Sequence, residues 1–138
     1  MQEELQLALI QSSIFWEDPE KNRDELSRKI EMITSDVDLI VLPEMFTTGF
    51  TMSPRSLGDS EGKKTLTWMQ EIAKSQNTAI AGSFPYLENN KYTNRFYFVE
   101  ANGETNWYDK RHTFTLAGED KVYAAGNERL VIDYKGFR

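Results

Sequence analysis

The sequence predicts an α/β fold built on a parallel sheet. Three apolar runs, Leu5–Gln11, Asp38–Leu42 and Thr78–Ser83, alternate with two amphipathic stretches of helical period. Strand–helix–strand–helix–strand in that order implies right-handed crossovers between parallel strands. The continuous Leu-Ile-Val-Leu of the second run marks a strand covered on both faces.

Each element has a local reason. Leu5–Gln11 is short, apolar and branched, as a buried strand requires. Asp18-Pro19-Glu20 then starts a helix: the Asp caps, the Pro is preset for the first helical position, and the Glu meets the positive end of the dipole. Leu26, Ile30 and Ile33 follow at i, i+4 and i+7 and give that helix one apolar stripe. Pro43 stops the second strand. Thr47 to Gly62 is rich in Thr, Ser, Gly and Pro and reads as a loop. Lys63–Gln76 carries Leu66, Met69, Ile72 and Ala73 on one side, a second amphipathic helix, and Thr78–Ser83 is the third strand. After Pro85 the pattern changes. Lys91–Glu100 and Glu104–Tyr108 read as strands joined through Ala101-Asn102-Gly103, where Asn-Gly favours a tight hairpin. Arg111–Asn127 reads as a long irregular loop punctuated by Gly118 and Gly126. Glu128–Tyr134 is expected to be a further strand, followed by a turn at Lys135-Gly136. Only two helices are then available to cover about six strands, which suggests that the chain is part of a larger fold.

Composition bounds the function. The chain has 138 residues, 16 Lys+Arg against 22 Asp+Glu and a formal charge of −6. An acidic chain of this kind is a poor nucleic-acid binder, because such binding neutralises phosphates with cations. No apolar run approaches the ~20 residues of a membrane-spanning helix. The acidic start Met1-Gln2-Glu3-Glu4 lacks the basic leader of a signal peptide, and the expected location is cytoplasmic. There is no cysteine and one histidine, so disulfides and cysteine-based metal sites are excluded within these residues. No G-x-S-x-G nucleophile elbow, G-x-G-x-x-G or G-x-x-x-x-G-K-[ST] occurs.

Three charged residues could carry chemistry. Glu44 follows the second strand directly, where open α/β sheets bind ligands. Its neighbours Leu42, Pro43, Met45 and Phe46 are expected to desolvate it partly, as suits a general base. It also reads as an ordinary solvated loop glutamate. Lys110 stands in the equivalent place after Glu104–Tyr108, and a lysine beside aromatic rings can hold the charge of an oxyanion. It also reads as a surface lysine. Glu119, taken alone, reads as a surface residue of the irregular loop. His112 reads as structural, a hydrogen-bond partner within the loop. Gly82-Ser83 fits either a close backbone approach or an ordinary turn, and Tyr86, Tyr92, Phe96, Tyr97 and Phe98 read as core packing.

In chain order, the strand ending at Gln11, Leu42-Pro43-Glu44-Met45-Phe46, Gly82-Ser83 and Tyr108-Asp109-Lys110-Arg111-His112 together resemble the nitrilase superfamily of carbon–nitrogen hydrolases. Glu44-Met45-Phe46-Thr47-Thr48-Gly49-Phe50, Lys110-Arg111-His112 and Ala117-Gly118-Glu119 resemble its bacterial omega-amidase branch. The resemblance implies an α-β-β-α sandwich, incomplete in this chain, with residues 1–138 as the N-terminal part of a single domain. It implies Glu44 as general base, Lys110 as oxyanion-stabilising lysine and Glu119 as the second glutamate of a Glu-Lys-Cys mechanism. The family's cysteine falls beyond Arg138, so the 138 residues alone are expected to be inactive. The implied reaction releases ammonia from the terminal amide of a 2-oxo dicarboxylic acid monoamide through a thioester, with no cofactor or metal. The implied partners are the small-molecule amide, the C-terminal half of the same domain and a second copy in a homodimer, with no nucleic acid and no membrane. Another amidase of the superfamily, or a non-catalytic α/β module without a nucleophile, would share most of these features.

Overall fold

The computed structural model describes residues 2–138. The elements are β1 Leu7–Leu9, α1 Pro19–Glu31, β2 Leu39–Val41, α2 Glu61–Gln76, β3 Ala79–Glu88, β4 Lys91–Val99 and β5 Thr105–Asp109, with short 3-10 turns at Pro54–Leu57, Thr115–Ala117 and Glu119–Lys121. The strands form one sheet in sequence order. β1, β2 and β3 run parallel, and β3–β4 and β4–β5 are antiparallel. The sheet is therefore mixed, with the predicted parallel half followed by a meander.

Helix α1 begins as the sequence requires: Asp18 Oδ1 accepts from the Lys21 amide at 3.2 Å, with Pro19 at the first position. Both helices cover the same sheet face. Leu26 and Ile30 from α1 and Met69 and Ala73 from α2 pack on Ile40, Ile80, Phe84, Tyr97 and Val99. Right-handed crossovers between β1, β2 and β3, all stepping in one direction, put both helices there. The opposite face carries a thinner apolar layer of Ala79, Ala81 and Phe98, covered by Ile132 and Tyr134. Leu7 and Leu9 remain 48% and 73% exposed, so β1 is not the buried strand expected of Leu5–Gln11 and this apolar sheet face is only partly covered. No helix among the described residues is long and apolar enough to cross a membrane.

Three further expectations change. β3 continues through Pro85 to Glu88 rather than ending at Ser83. Past Ala81, which pairs with Val41, β3 keeps only β4 as its ladder partner. A proline is tolerated at such an edge because no second neighbour needs its missing N–H. β3 turns into β4 through Asn89 and Asn90 at φ 50° and 60°, a two-residue turn with both central residues left-handed. Secondly, Glu128–Tyr134 is not a strand. Only Tyr134 and Phe137 bridge, around the expected Lys135-Gly136 turn. Alternation at Leu130, Ile132 and Tyr134 reports one buried face but not a backbone partner, and the segment crosses the sheet face by its side chains. Thirdly, the sheet has five strands rather than about six.

The crossing segment is anchored at its end. Tyr134 donates its hydroxyl to the Asp38 carbonyl at 2.8 Å and Lys135 Nζ meets Asp38 Oδ1 at 2.5 Å. The bond from Lys135 and that from the Gln6 amide hold the Asp38 carboxyl below the usual carboxylate range, against the opposing effect of burial. A depressed carboxylate contributes stability above its unfolded pKa and loses it as pH falls through the folded value. Thermal unfolding followed on the acid side of about pH 4 is expected to show a stability loss that Asp38→Asn flattens. Parallel acid limbs in the two proteins would remove Asp38 from the acid response.

Candidate active site

The site gathers at the carboxyl ends of the parallel strands. After β2 the chain turns sharply at Glu44-Met45, and Met45 takes φ 53°, a left-handed conformation disfavoured for a residue with a Cβ. Partners on β3 hold it there. Ser83 Oγ accepts from the Met45 amide at 3.0 Å and the Ser83 carbonyl accepts from the Phe46 amide at 3.1 Å. Gly82 supplies the space, since a Cβ there would lie 2.8 Å from the Phe46 ring. Gly82-Ser83 is therefore a close approach inside a strand, not a turn.

Lys110 extends from the end of β5. Its amide donates to the Asn94 carbonyl on β4 at 2.9 Å, and its own carbonyl accepts from the Gly126 amide at 2.9 Å. Gly126 is more than loop punctuation: a Cβ there would lie 2.2 Å from the Asp109 carbonyl oxygen. Glu119 is held by its own loop, where the Phe114 amide donates to Glu119 Oε2 at 2.9 Å.

These elements bring the three charged residues together. Lys110 Nζ lies 3.0 Å from Glu44 Oε1 and 3.2 Å from Glu119 Oε2. Burial pulls the Lys110 ammonium down, but its hydrogen bonds to Glu44 and Glu119, aided by their charges, prevail and hold it above the ordinary lysine range. It is a fixed cation at neutral pH. Burial is distributed differently from the sequence expectation. The Glu44 side chain is 45% exposed and not desolvated by its apolar neighbours, because Met45 and Phe46 turn into the core and leave Glu44 outside. Glu119, which reads alone as a surface residue, is only 6% exposed. Its Oε1 is buried without a hydrogen-bond partner among the described residues. His112 is exposed rather than built into the loop.

Beside the cluster lies a cleft of about 280 Å³ lined by Leu42, Glu44, Asn94, Phe96, Tyr108 and Lys110. Phe96 and Tyr108 also border a wider apolar cleft of about 760 Å³ under Leu130, Val131 and Ile132. A carboxylate at the mouth, an ammonium fixed beside it and an apolar wall suit proton transfer and oxyanion stabilisation on a small polar substrate. Among the described residues, no group of three or more His, Cys, Asp or Glu is placed to hold a metal ion.

Residues 6–135 match the model of the carbon–nitrogen hydrolase family. The chain belongs to the carbon–nitrogen hydrolase family. It is 38% identical over 134 residues to omega-amidase YafV of Escherichia coli (strain K12), a match covering 97% of this chain and 52% of the relative. It is 30% identical over 135 residues to 2-oxoglutaramate amidase of Bacillus subtilis (strain 168), covering 96% and 52%. Among solved structures, XC1258 of Xanthomonas campestris, a CN-hydrolase superfamily protein with an arsenic adduct in its active site, superposes at TM-score 0.89 with 36% identity over 96% of this chain and 50% of that one. An amidase from Nesterenkonia sp. AN1 shares the fold at TM-score 0.80 with 20% identity, over 96% and 54%. The chain thus spans about half the length of the curated relatives it matches. In the sequence of this carbon–nitrogen hydrolase chain, Glu44, Lys110 and Glu119 come together only through the resemblance. No motif marks Asn94, whose Nδ2 donates to Glu44 Oε1 at 2.9 Å. Nor does one mark Asn22, which is buried and ties the loop after β1 to the loop after β2. Asn22 exchanges hydrogen bonds with the Phe15 amide and carbonyl and donates to the Thr47 carbonyl at 2.7 Å. The helical period places Asn22 one turn before Leu26 on the buried stripe of α1, but its polar side chain hides it from a search for apolar residues.

Proposed function

We propose that this chain is the base-and-lysine half of an amidase that releases ammonia from the terminal amide of a 2-oxo dicarboxylic acid monoamide. The observation that carries it is the Lys110 ammonium bridging Glu44 and Glu119 at the mouth of an open cleft. The kinship with omega-amidases and a 2-oxoglutaramate amidase supports the substrate class. Residues 1–138 act as the N-terminal part of one domain, and a C-terminal half supplies a nucleophilic cysteine. Two features favour such a completion. One sheet face is apolar and half-open, and Glu119 Oε1 has no donor among the described residues, a state that costs free energy until one arrives.

In this mechanism Glu44 takes the thiol proton as sulfur bonds to the amide carbon. Lys110 holds the negative charge that forms on the carbonyl oxygen. As the C–N bond breaks, Glu44 returns that proton to nitrogen and ammonia leaves. Glu44 then deprotonates water, which attacks the thioester carbon, and the proton goes back to sulfur as the acid departs. Glu119, buried behind the lysine, keeps the ammonium charged and aimed. The enzyme works in the cytoplasm as a homodimer, where reducing conditions keep the thiol free.

The test begins with the intact mass of the purified protein under denaturing conditions, followed by an assay of ammonia release from 2-oxoglutaramate. A species above 16.0 kDa, or a second fragment, is expected to accompany activity, and the 16.0 kDa chain alone is expected to be inactive. Turnover by that chain alone, or none by the completed protein on any short amide, would overturn the proposal.

A further inference from the structure

Glu44 Oε1 accepts two hydrogen bonds, from Lys110 Nζ at 3.0 Å and from Asn94 Nδ2 at 2.9 Å. No donor among the described residues reaches Oε2. Asn94 is 4% exposed, in the middle of β4 opposite Pro85. Its orientation is forced, since a carboxylate only accepts and the Asn must present its amide nitrogen. The same residue also holds the lysine, because its backbone carbonyl accepts from the Lys110 amide at 2.9 Å. One buried residue therefore fixes the backbone of Lys110 and the carboxylate of Glu44, which lie 66 residues apart in sequence.

We infer that Asn94 is the positioning residue of the reaction: with Lys110 it occupies Glu44 Oε1 and leaves Oε2 as the oxygen that exchanges the proton. The inference rests on the amidase reading of the site. Its chemistry follows from the hydrogen-bond inventory. A proton on Oε1 would have to displace a donor, whereas a proton on Oε2 leaves both bonds intact. The carboxylate thus keeps one orientation through uptake and return of the proton, and the half-exposed Glu44 does not rotate between rotamers. Lys110 alone would not achieve this, since a point-charge ammonium on a flexible stem tolerates either oxygen. The charged groups facing Glu44 are Lys110 directly and Glu119 across it. Arg95 projects from the other face of β4 and is paired with Asp109 and Glu88.

The experiment compares Asn94→Ala and Asn94→Asp with the wild type in the complete protein. It measures kcat and KM, the folded fraction by circular dichroism, and the nitrogen-15 side-chain amide signal of Asn94 with and without Glu44→Gln. Losing a charge-assisted hydrogen bond is expected to lower kcat by about 10- to 100-fold and leave KM within about twofold. Asn94→Asp, which keeps the shape but replaces a donor by a like charge, is expected to lose at least as much kcat as Asn94→Ala. The Asn94 side-chain amide signal is expected to shift when Glu44→Gln removes the charge it donates to. Asn94→Asp with wild-type kcat, losses no larger than the loss of folded protein, or an Asn94 amide signal unmoved by Glu44→Gln would each overturn the inference. If the wild type releases no ammonia from any amide, the amidase reading fails by itself. The Asn94 amide signal then decides the Asn94 contact, a shift in Glu44→Gln supporting it and no shift overturning it.

Discussion

Lys110→Ala is expected to lower kcat for amide hydrolysis by about 10²- to 10³-fold while the protein stays folded. The magnitude follows from the site's geometry. Removing one preorganised donor from a developing oxyanion has that effect when the donor is fixed before the reaction begins, and Lys110 is fixed twice. Its backbone is clamped by Asn94 and Gly126, and its ammonium by Glu44 and Glu119. Truncation also leaves two carboxylates facing each other without a cation, and the buried Glu119 then keeps the Phe114 amide on Oε2. A stability loss of about 1–3 kcal/mol should accompany the kinetic one, so rate and unfolding are measured on the same samples. Lys110→Arg separates charge from position. A planar fork in place of a compact ammonium retains the charge, restores part of the stability and leaves most of the activity lost. A non-catalytic module would show the stability change and have no turnover to lose. Full activity in Lys110→Ala would remove the lysine from the chemistry.

The parts of this architecture written in local chemistry were legible in the sequence. Asp18-Pro19-Glu20 is a helix start whatever surrounds it, and the observed cap forms as expected. The apolar stripes at Leu26 and Ile30 and at Met69 and Ala73 foretell the face that both helices bury. What stayed illegible depends on partners distant in sequence. Whether Leu130, Ile132 and Tyr134 make a strand depends on a free ladder beside them, and alternation alone carries no information about that. Burial of the two glutamates came out opposite to their local settings for the same reason. Glu44 sits among apolar neighbours that turn away from it, and Glu119 sits in an irregular loop that folds over it. Gly126 looked like any loop glycine because the Asp109 carbonyl it must clear lies 17 positions earlier in sequence.

Arg95 shows the same dependence energetically and gives the largest expected effect on stability. Nothing local marks it for burial, yet its side chain is only 3% exposed. Arg95 Nε donates to Asp109 Oδ1 at 2.8 Å and Nη2 to Asp109 Oδ2 at 3.0 Å, with Nη2 also 3.0 Å from Glu88 Oε2. Its guanidinium lies 3.9 Å from the Trp107 ring centroid and 4.5 Å from that of Tyr86. Burial opposes its charge, but the hydrogen bonds to Asp109 and Glu88 more than compensate and the group is raised above its ordinary range. Removing one member of such a pair strands the other. Arg95→Leu leaves Asp109, 15% exposed at its side chain, with the Thr93 hydroxyl as its remaining side-chain donor. The expected cost is about 3–5 kcal/mol, read from the urea midpoint at unchanged m-value. Glu88 is 51% exposed and rehydrates once released, so Glu88→Gln should cost under about 1 kcal/mol. The double variant Arg95→Leu/Asp109→Leu decides the cause. If the cost lies in a stranded carboxylate, the double variant recovers a large part of it, since apolar replacement of a whole buried pair is often close to neutral. If the guanidinium's packing between Tyr86 and Trp107 dominates, the double variant is at least as unstable as Arg95→Leu, and the ion pair contributes little beyond its shape.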